Sequence, residues 1–214
     1  MVNSNPSLQF NTLDLPHLDQ LRTATALIIS IAKFHFTLLD ELLDPDGFQI
    51  GDNFIPLDMS QYKNLLFSTR IPQIAKDEIK QFDSQHITVL FRGNFYKITI
   101  INADETIRSA EEILGELIQI VICGRSKKSN TKSITTLSLG NRDRWASNRE
   151  ILQKLGNERA LNIIDSSMTL VVLDDFAATS SSQSLWSSIA GPGNNRFPDK
   201  SFSLIVGQGS VLII

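Results

Sequence analysis

The sequence predicts a mixed α/β layer structure, a sheet with covering helices, and three stretches carry that expectation. "HITVLFRGNFYKITII" (residues 86–101) reads as two β-branched and aromatic runs hinged at Gly93-Asn94, the strongest hairpin signal in the chain. "SAEEILGELIQIVI" (109–122) reads as a helix: Ser109 and Glu112 form a capping box, and Ile113, Leu114, Leu117, Ile120 and Val121 recur at helical spacing. "TLVVLDD" (169–175) is apolar on both faces and so expects cover on both sides.

The remaining elements follow in chain order. A helix begins near Leu15 and carries Leu18, Leu21, Ala24, Ile28 and Ile31 on one face. "TLLDELLDPDG" (37–47) predicts a second short helix stopped by Pro45 and Gly47. A third is expected from Asp58, an acidic N-cap, to Ile71 before Pro72. "GRSKKSNTKS" (124–133) reads as a solvated basic loop; its spacing is not that of a phosphate-binding loop and no strand leads into it. Asn141 caps a helix that closes at Gly156-Asn157, and "ERALNIIDSSM" continues as another. The Ser-rich stretch 179–190 is a loop before a short helix, or a loose connection. "SFSLIVG" and "SVLII" then close the chain as a strand and its partner.

At 214 residues, with 42% hydrophobic and 20% charged residues and a net charge of -3, the chain can bury a sizeable core and does not resemble a polyanion-binding protein, so nucleic acid is not an expected partner. The single Cys123 cannot close an internal disulfide, and His17, His35 and His86 form no cluster at metal-ligand spacing. The longest apolar run, residues 23–32, is too short to span a bilayer. No Lys or Arg precedes Arg22, while Asp14 and Asp19 lie where a mitochondrial presequence would be basic, so no transit peptide is expected.

Candidate chemistry is sparse. Asp174 and Asp175, at a strand end, either ligate a metal, act as an acid/base pair or simply open an exposed loop; the last is the preferred reading. His86 reads as a surface or core-edge histidine, Trp145 as core beside solvated or paired Arg142, Asp143 and Arg144, and Tyr62 as a packed aromatic or a hydroxyl donor to a polar ligand.

Taken together, "RTATALIIS", "PLDMSQYKNLLFSTRIP", "HITVLFRGNFYKITI", "NRDRW", "GNERALNIIDSS" with "LDDF", and "NRFPDKSFSLIV" resemble, in order, the choline/carnitine acyltransferase family, nearest its mitochondrial palmitoyl-transferring members. The resemblance divides the chain into an unmatched segment, residues 1–21, and a partial acyltransferase domain, 22–214. It implies a truncated CoA-dependent acyltransferase-like fold, with two related halves around a tunnel. Carnitine and acyl-CoA are the family's substrates, and no covalently bound cofactor is implied. The family's base is a histidine in a Glu-His step that takes the carnitine hydroxyl proton.

Carried across, that step falls about three positions past Ile214, and none of His17, His35 or His86 occupies it. No residue here is therefore assigned a catalytic, cofactor-binding or metal role. Three departures follow from the comparison: Ala190 stands where the family has histidine, Pro192 enters the glycine turn, and Phe197-Pro198 replace Trp-Phe. Arg196, Asp199 and Lys200 are kept. Between Gly51 and Phe54 the chain skips an insert by which family members meet the membrane, so membrane association is less expected. The resemblance implies fatty acid metabolism in the mitochondrion, whereas the N-terminus as written implies the cytoplasm. Three expectations stay open: a truncated product inactive alone, a binding half-domain that associates with a full-length relative, or a fragment of a longer coding sequence.

Overall fold

The computed structural model describes residues 8–9, 19–126, 133–175, 191, 193–208 and 210–213. Its centre is a six-stranded mixed sheet built from β1 (Leu8–Gln9), β6 (His86–Phe91), β7 (Asn94–Thr99), β8 (Leu170–Leu173), β9 (Ser203–Val206) and β10 (Val211–Ile213), in the order β1-β10-β9-β8-β6-β7. The three central strands β6, β8 and β9 run parallel, in the registers Val89↔Val171 and Val171↔Leu204, and the outer strands pair antiparallel.

Strand alternation sorts the core into two layers. Val89, Phe91, Val171, Leu173, Leu204 and Val206 face α1 (Gln20–Leu39) and α2 (Ala110–Ser126), against Ala24, Ile28, Ile113 and Leu117. Leu90, Leu170, Val172 and Ile205 face the other way, against Trp145 of α4 (Arg142–Leu152) and Ile164 of α5 (Glu158–Ser166). The mixed sheet with covering helices is thus present, and the apolar run around β8 has its two-sided cover.

Local signals explain several of these elements. Ser109 and Glu112 form the expected capping box: the Ser109 N–H donates to Glu112 Oε2 at 3.0 Å and the Glu112 N–H to Ser109 Oγ at 3.3 Å. Asn141 accepts from the Arg144 N–H at 3.1 Å and starts α4, which breaks at Gly156 before α5 begins. In the β6–β7 hairpin Phe91 pairs with Asn94, so the turn residues are Arg92 and Gly93, one position earlier than expected. Both have positive φ (51° and 75°), as a two-residue type I′ turn requires.

Two expected helices are not formed. α1 runs unbroken to Leu39 and absorbs the start of the 37–47 segment; after it the chain turns and Gly47 opens a ribbon, β2 (Gly47–Ile50) with β3 (Asn53–Pro56). Of the helix expected over 58–71, only a 3-10 turn, Ser60–Asn64, appears; the rest is β4 (Ser68–Ile71), paired with β5 (Glu78–Gln81). The reason is tertiary. The Phe67 N–H donates to the Met168 carbonyl at 2.9 Å and the Arg70 N–H to the Asp199 carbonyl at 2.7 Å, partners a local helix would forfeit. Leu8–Gln9 pairs with Ile213 and Leu212 at the sheet edge. The solvated-loop reading of 124–133 and the Ser-rich stretch fall mostly outside the described residues; of the former, Gly124 to Ser126 belong to α2. Among the described residues no helix is long and apolar enough to cross a membrane.

The last turn of α2 lies directly on the sheet. A Cβ at Gly124 would come within 2.5 Å of the Phe91 ring, itself fully buried. Gly124→Ala should therefore destabilise the fold by about 1–3 kcal/mol, read as a lowered denaturant midpoint; an unchanged midpoint would show that the helix is not seated there.

Candidate functional site

Charged residues gather at the two ends of the parallel strands. At the C-terminal ends, Asp174 follows β8 and is buried, not exposed as the preferred loop reading held. Its carboxylate accepts from Arg196 Nη1 at 3.0 Å and Nη2 at 2.6 Å and from Asn195 Nδ2 at 3.0 Å, a buried bidentate ion pair. Asp175 pairs instead with Arg92 at the hairpin turn. Gln20, at the start of α1, closes this end: its Nε2 donates to the Asp174 and Val206 carbonyls at 2.8 and 2.7 Å. Among the described residues no group of three or more His, Cys, Asp or Glu is placed to hold a metal ion.

The opposite end is organised by the Asp199-Lys200 step, which leads into β9. Lys200 is buried; its Nζ donates to Thr69 Oγ1 at 2.8 Å and to the Asp165 and Ser167 carbonyls at 2.9 and 2.6 Å. Removal from water pushes its ammonium down from 10.5 to about 7, against the pull of Asp165. Asp199 accepts from Trp145 Nε1 at 2.7 Å and from Arg142 Nη1 at 2.6 Å, and Arg142 Nε reaches Asp77 at 2.9 Å. Arg149 of α4 pairs with Asp165 of α5 nearby. This pair forms part of the wall of a cleft of about 380 Å³, bounded also by Ile71, Lys80, Phe82 and Glu150.

Of the described histidines, His86 stands close enough to Lys200 to feel its charge, and His35 packs against Phe67. His86 is buried with Nε2 2.8 Å from the Ile163 carbonyl, and burial lowers its pKa. It is a core-edge histidine, as read from the sequence. His35 lies edge-on to Phe67 at 4.8 Å and is likewise lowered by burial. His17 lies outside the described residues. Among the described residues no carboxylate hydrogen-bonds to His35 or His86. Tyr62 packs edge-on to Phe34 at 6.3 Å, as the packed-aromatic reading held, and its hydroxyl donates to Asp46 Oδ2 at 3.0 Å, a side chain of the protein itself. The sequence reading missed Lys200, Thr69 and Asp165 as one cluster; the only available signal was the burial forced on Lys200 by the apolar strand directly after it.

The family model "Choline/Carnitine o-acyltransferase" matches residues 1–214. The chain belongs to that family. It is 33% identical to "Carnitine O-palmitoyltransferase 2, mitochondrial" of Macaca fascicularis and 32% identical to the Homo sapiens protein of the same name, in each case over 97% of this chain and 36% of the relative. Identity to the "Carnitine O-acetyltransferase" of Rattus norvegicus is 27%, over 97% of this chain and 35% of the relative. The chain thus spans about a third of the length of the relatives it matches. The Arg196, Asp199 and Lys200 shared with the family pattern are all buried. Phe197, where the family has tryptophan, fills the second core layer edge-on to Phe95 at 5.5 Å.

Lys200 gives the cluster a pH signature. Its folded pKa lies below its unfolded one, so between about pH 7 and 10.5 the unfolded chain holds the extra proton and stability rises with pH. Unfolding free energy measured from about pH 7 to 9 should climb with a slope approaching 1.4 kcal/mol per unit, roughly one proton's worth. Lys200→Met should abolish that slope. Equal slopes in the two proteins would mean that folded Lys200 keeps its proton across this range, its pKa not lowered by burial.

Proposed function

We propose that this chain is the part of a carnitine O-acyltransferase that builds the approach to the catalytic base, acting on long-chain acyl groups in the mitochondrion. The carrying observation is that the segment matching the family's lead-in to its histidine is folded and internally paired: Arg196 on Asp174, Asp199 on Trp145 and Arg142, Lys200 on Thr69. Such a lead-in fixes the direction in which the chain leaves β10. The palmitoyltransferase and mitochondrial names of the relatives support the acyl length and the location.

In the reaction, the carnitine hydroxyl oxygen attacks the thioester carbonyl of acyl-CoA as a base removes its proton. The carbon–sulfur bond then breaks, and CoA leaves as the thiol, taking that proton. CoA is thus a substrate, not a resident cofactor. On this reading the 214 residues alone do not perform this step: of the described histidines, His86 is bound to a backbone carbonyl and His35 packs half-buried on Phe67, and neither has a hydrogen-bonded carboxylate.

A second reading, a non-catalytic half that must cover an open strand edge with a full-length relative, loses its original motive. The outer edge of β10 is already taken by Leu8–Gln9, and Val206, Val211 and Leu212 are buried.

Carnitine-dependent release of CoA thiol from palmitoyl-CoA tests both parts of the proposal. The purified chain is expected to show none, and turnover by it would overturn the claim that it lacks a base. A chimera in which the chain replaces the matching third of the Homo sapiens relative is expected to transfer palmitoyl. A chimera that folds, by cooperative melting, yet stays inactive would overturn the proposed role.

A further inference from the structure

The β2–β3 ribbon stands outside both core layers, and among the described residues neither of its outer edges has a strand partner. Its register, Phe48↔Ile55 and Ile50↔Asn53, places Phe48, Ile50 and Ile55 on one face. These side chains are 61%, 62% and 47% exposed, with Leu42 and Leu57 also exposed beside them in sequence. An apolar face of this kind joined to open edges is a template for another strand.

Charge selects the occupant. From Lys33 to Lys63 there is no other Lys or Arg, while Asp40, Glu41, Asp44, Asp46, Asp52 and Asp58 are all exposed. They bracket the ribbon: Asp46 and Asp58 flank its base, where the Leu57 N–H donates to the Asp46 carbonyl at 2.6 Å, and Asp52 sits in its turn. An anionic lipid surface would be repelled by such a rim. A second copy adding edge to edge would set one acidic rim against another. An extended strand with apolar residues at alternate positions and a cation at each end would meet attraction at both ends and cover the face between.

We propose that β2–β3 is a docking site for an extended segment of another polypeptide, which adds to the ribbon edge with apolar side chains over Phe48, Ile50 and Ile55 and with Lys or Arg at its ends. This is β-strand addition, in which backbone hydrogen bonds supply affinity and the alternate side chains and end charges supply specificity.

The test uses the intact 214-residue chain and a fluorescent peptide alternating valine and threonine between lysine pairs, read by anisotropy and by amide hydrogen exchange over residues 47–57. Expected are saturable binding that weakens with salt, protection confined to the ribbon, and no binding of the same peptide flanked by glutamates. Phe48→Ser should weaken binding about tenfold, and Asp52→Asn with Asp58→Asn should flatten the salt dependence. Phe48 is exposed, so its variant should melt as the parent does. Absence of binding, equal binding of the glutamate-flanked peptide, ribbon protection by phosphatidylserine vesicles instead, or ribbon protection by self-association would each overturn the proposal.

Discussion

The burial of the Asp199-Lys200 step is the constraint on which the rest of this structure depends. Asp199 and Lys200 are desolvated just ahead of a fully buried strand, and a desolvated charge is tolerated only where it is paired or hydrogen-bonded. Lys200 finds one hydroxyl and two backbone carbonyls; Asp199 finds an indole and a guanidinium. Those partners come from β4, α4, α5 and the turn before β8, so β9 cannot take its place in the sheet until four other pieces of chain have taken theirs. The backbone follows the same logic. The Arg70 N–H donates to the Asp199 carbonyl and the Ser201 N–H to the Ser68 carbonyl, which draws β4 across the end of the sheet.

The other end of the parallel strands is secured by a second buried pair, Asp174 with Arg196, and by Gln20 bridging two strand ends to the start of α1. The stretch from Asn195 to Lys200 therefore ties both ends of the sheet, with Phe197 between them in the second core layer. A short, irregular, charged segment positions the regular elements here, and the regular elements in turn fix the direction of β9 and β10.

This arrangement explains what could be read from the sequence. Elements governed by near neighbours were legible: the capping box at Ser109 and Glu112, the Asn141 cap, the turn near Gly93, and the continuous apolar run of β8 that demands cover on two faces. Elements governed by distant partners were not. Residues 58–71 carry a good helical start, but Phe67 and Arg70 are claimed by Met168 and Asp199, more than a hundred residues and about 130 residues away in the numbering. The ribbon did carry a local signal, Phe48-Gln49-Ile50 alternating into a Gly51-Asp52 turn, which the reading of 37–47 as a helix passed over. Asp174 looked like the start of an exposed loop because nothing local announces that Arg196 will fold back over it.

Among the described residues, the polar groups most suggestive of chemistry have structural partners, and the physical grounds are the same for each. A catalytic carboxylate or amine must keep some hydrogen-bonding capacity and some access to a reactant. Asp174 accepts three hydrogen bonds from Arg196 and Asn195, Asp199 accepts from Trp145 and Arg142, and the three protons of Lys200 meet three acceptors. In a family whose reaction needs a general base held rigidly beside a thioester, such pairing has a use of its own. Side chains that cannot trade partners cannot let the strand they anchor drift, and an error of about an ångström at the base would already be felt in the rate. The charged turn contributes to the chemistry by being unavailable for it.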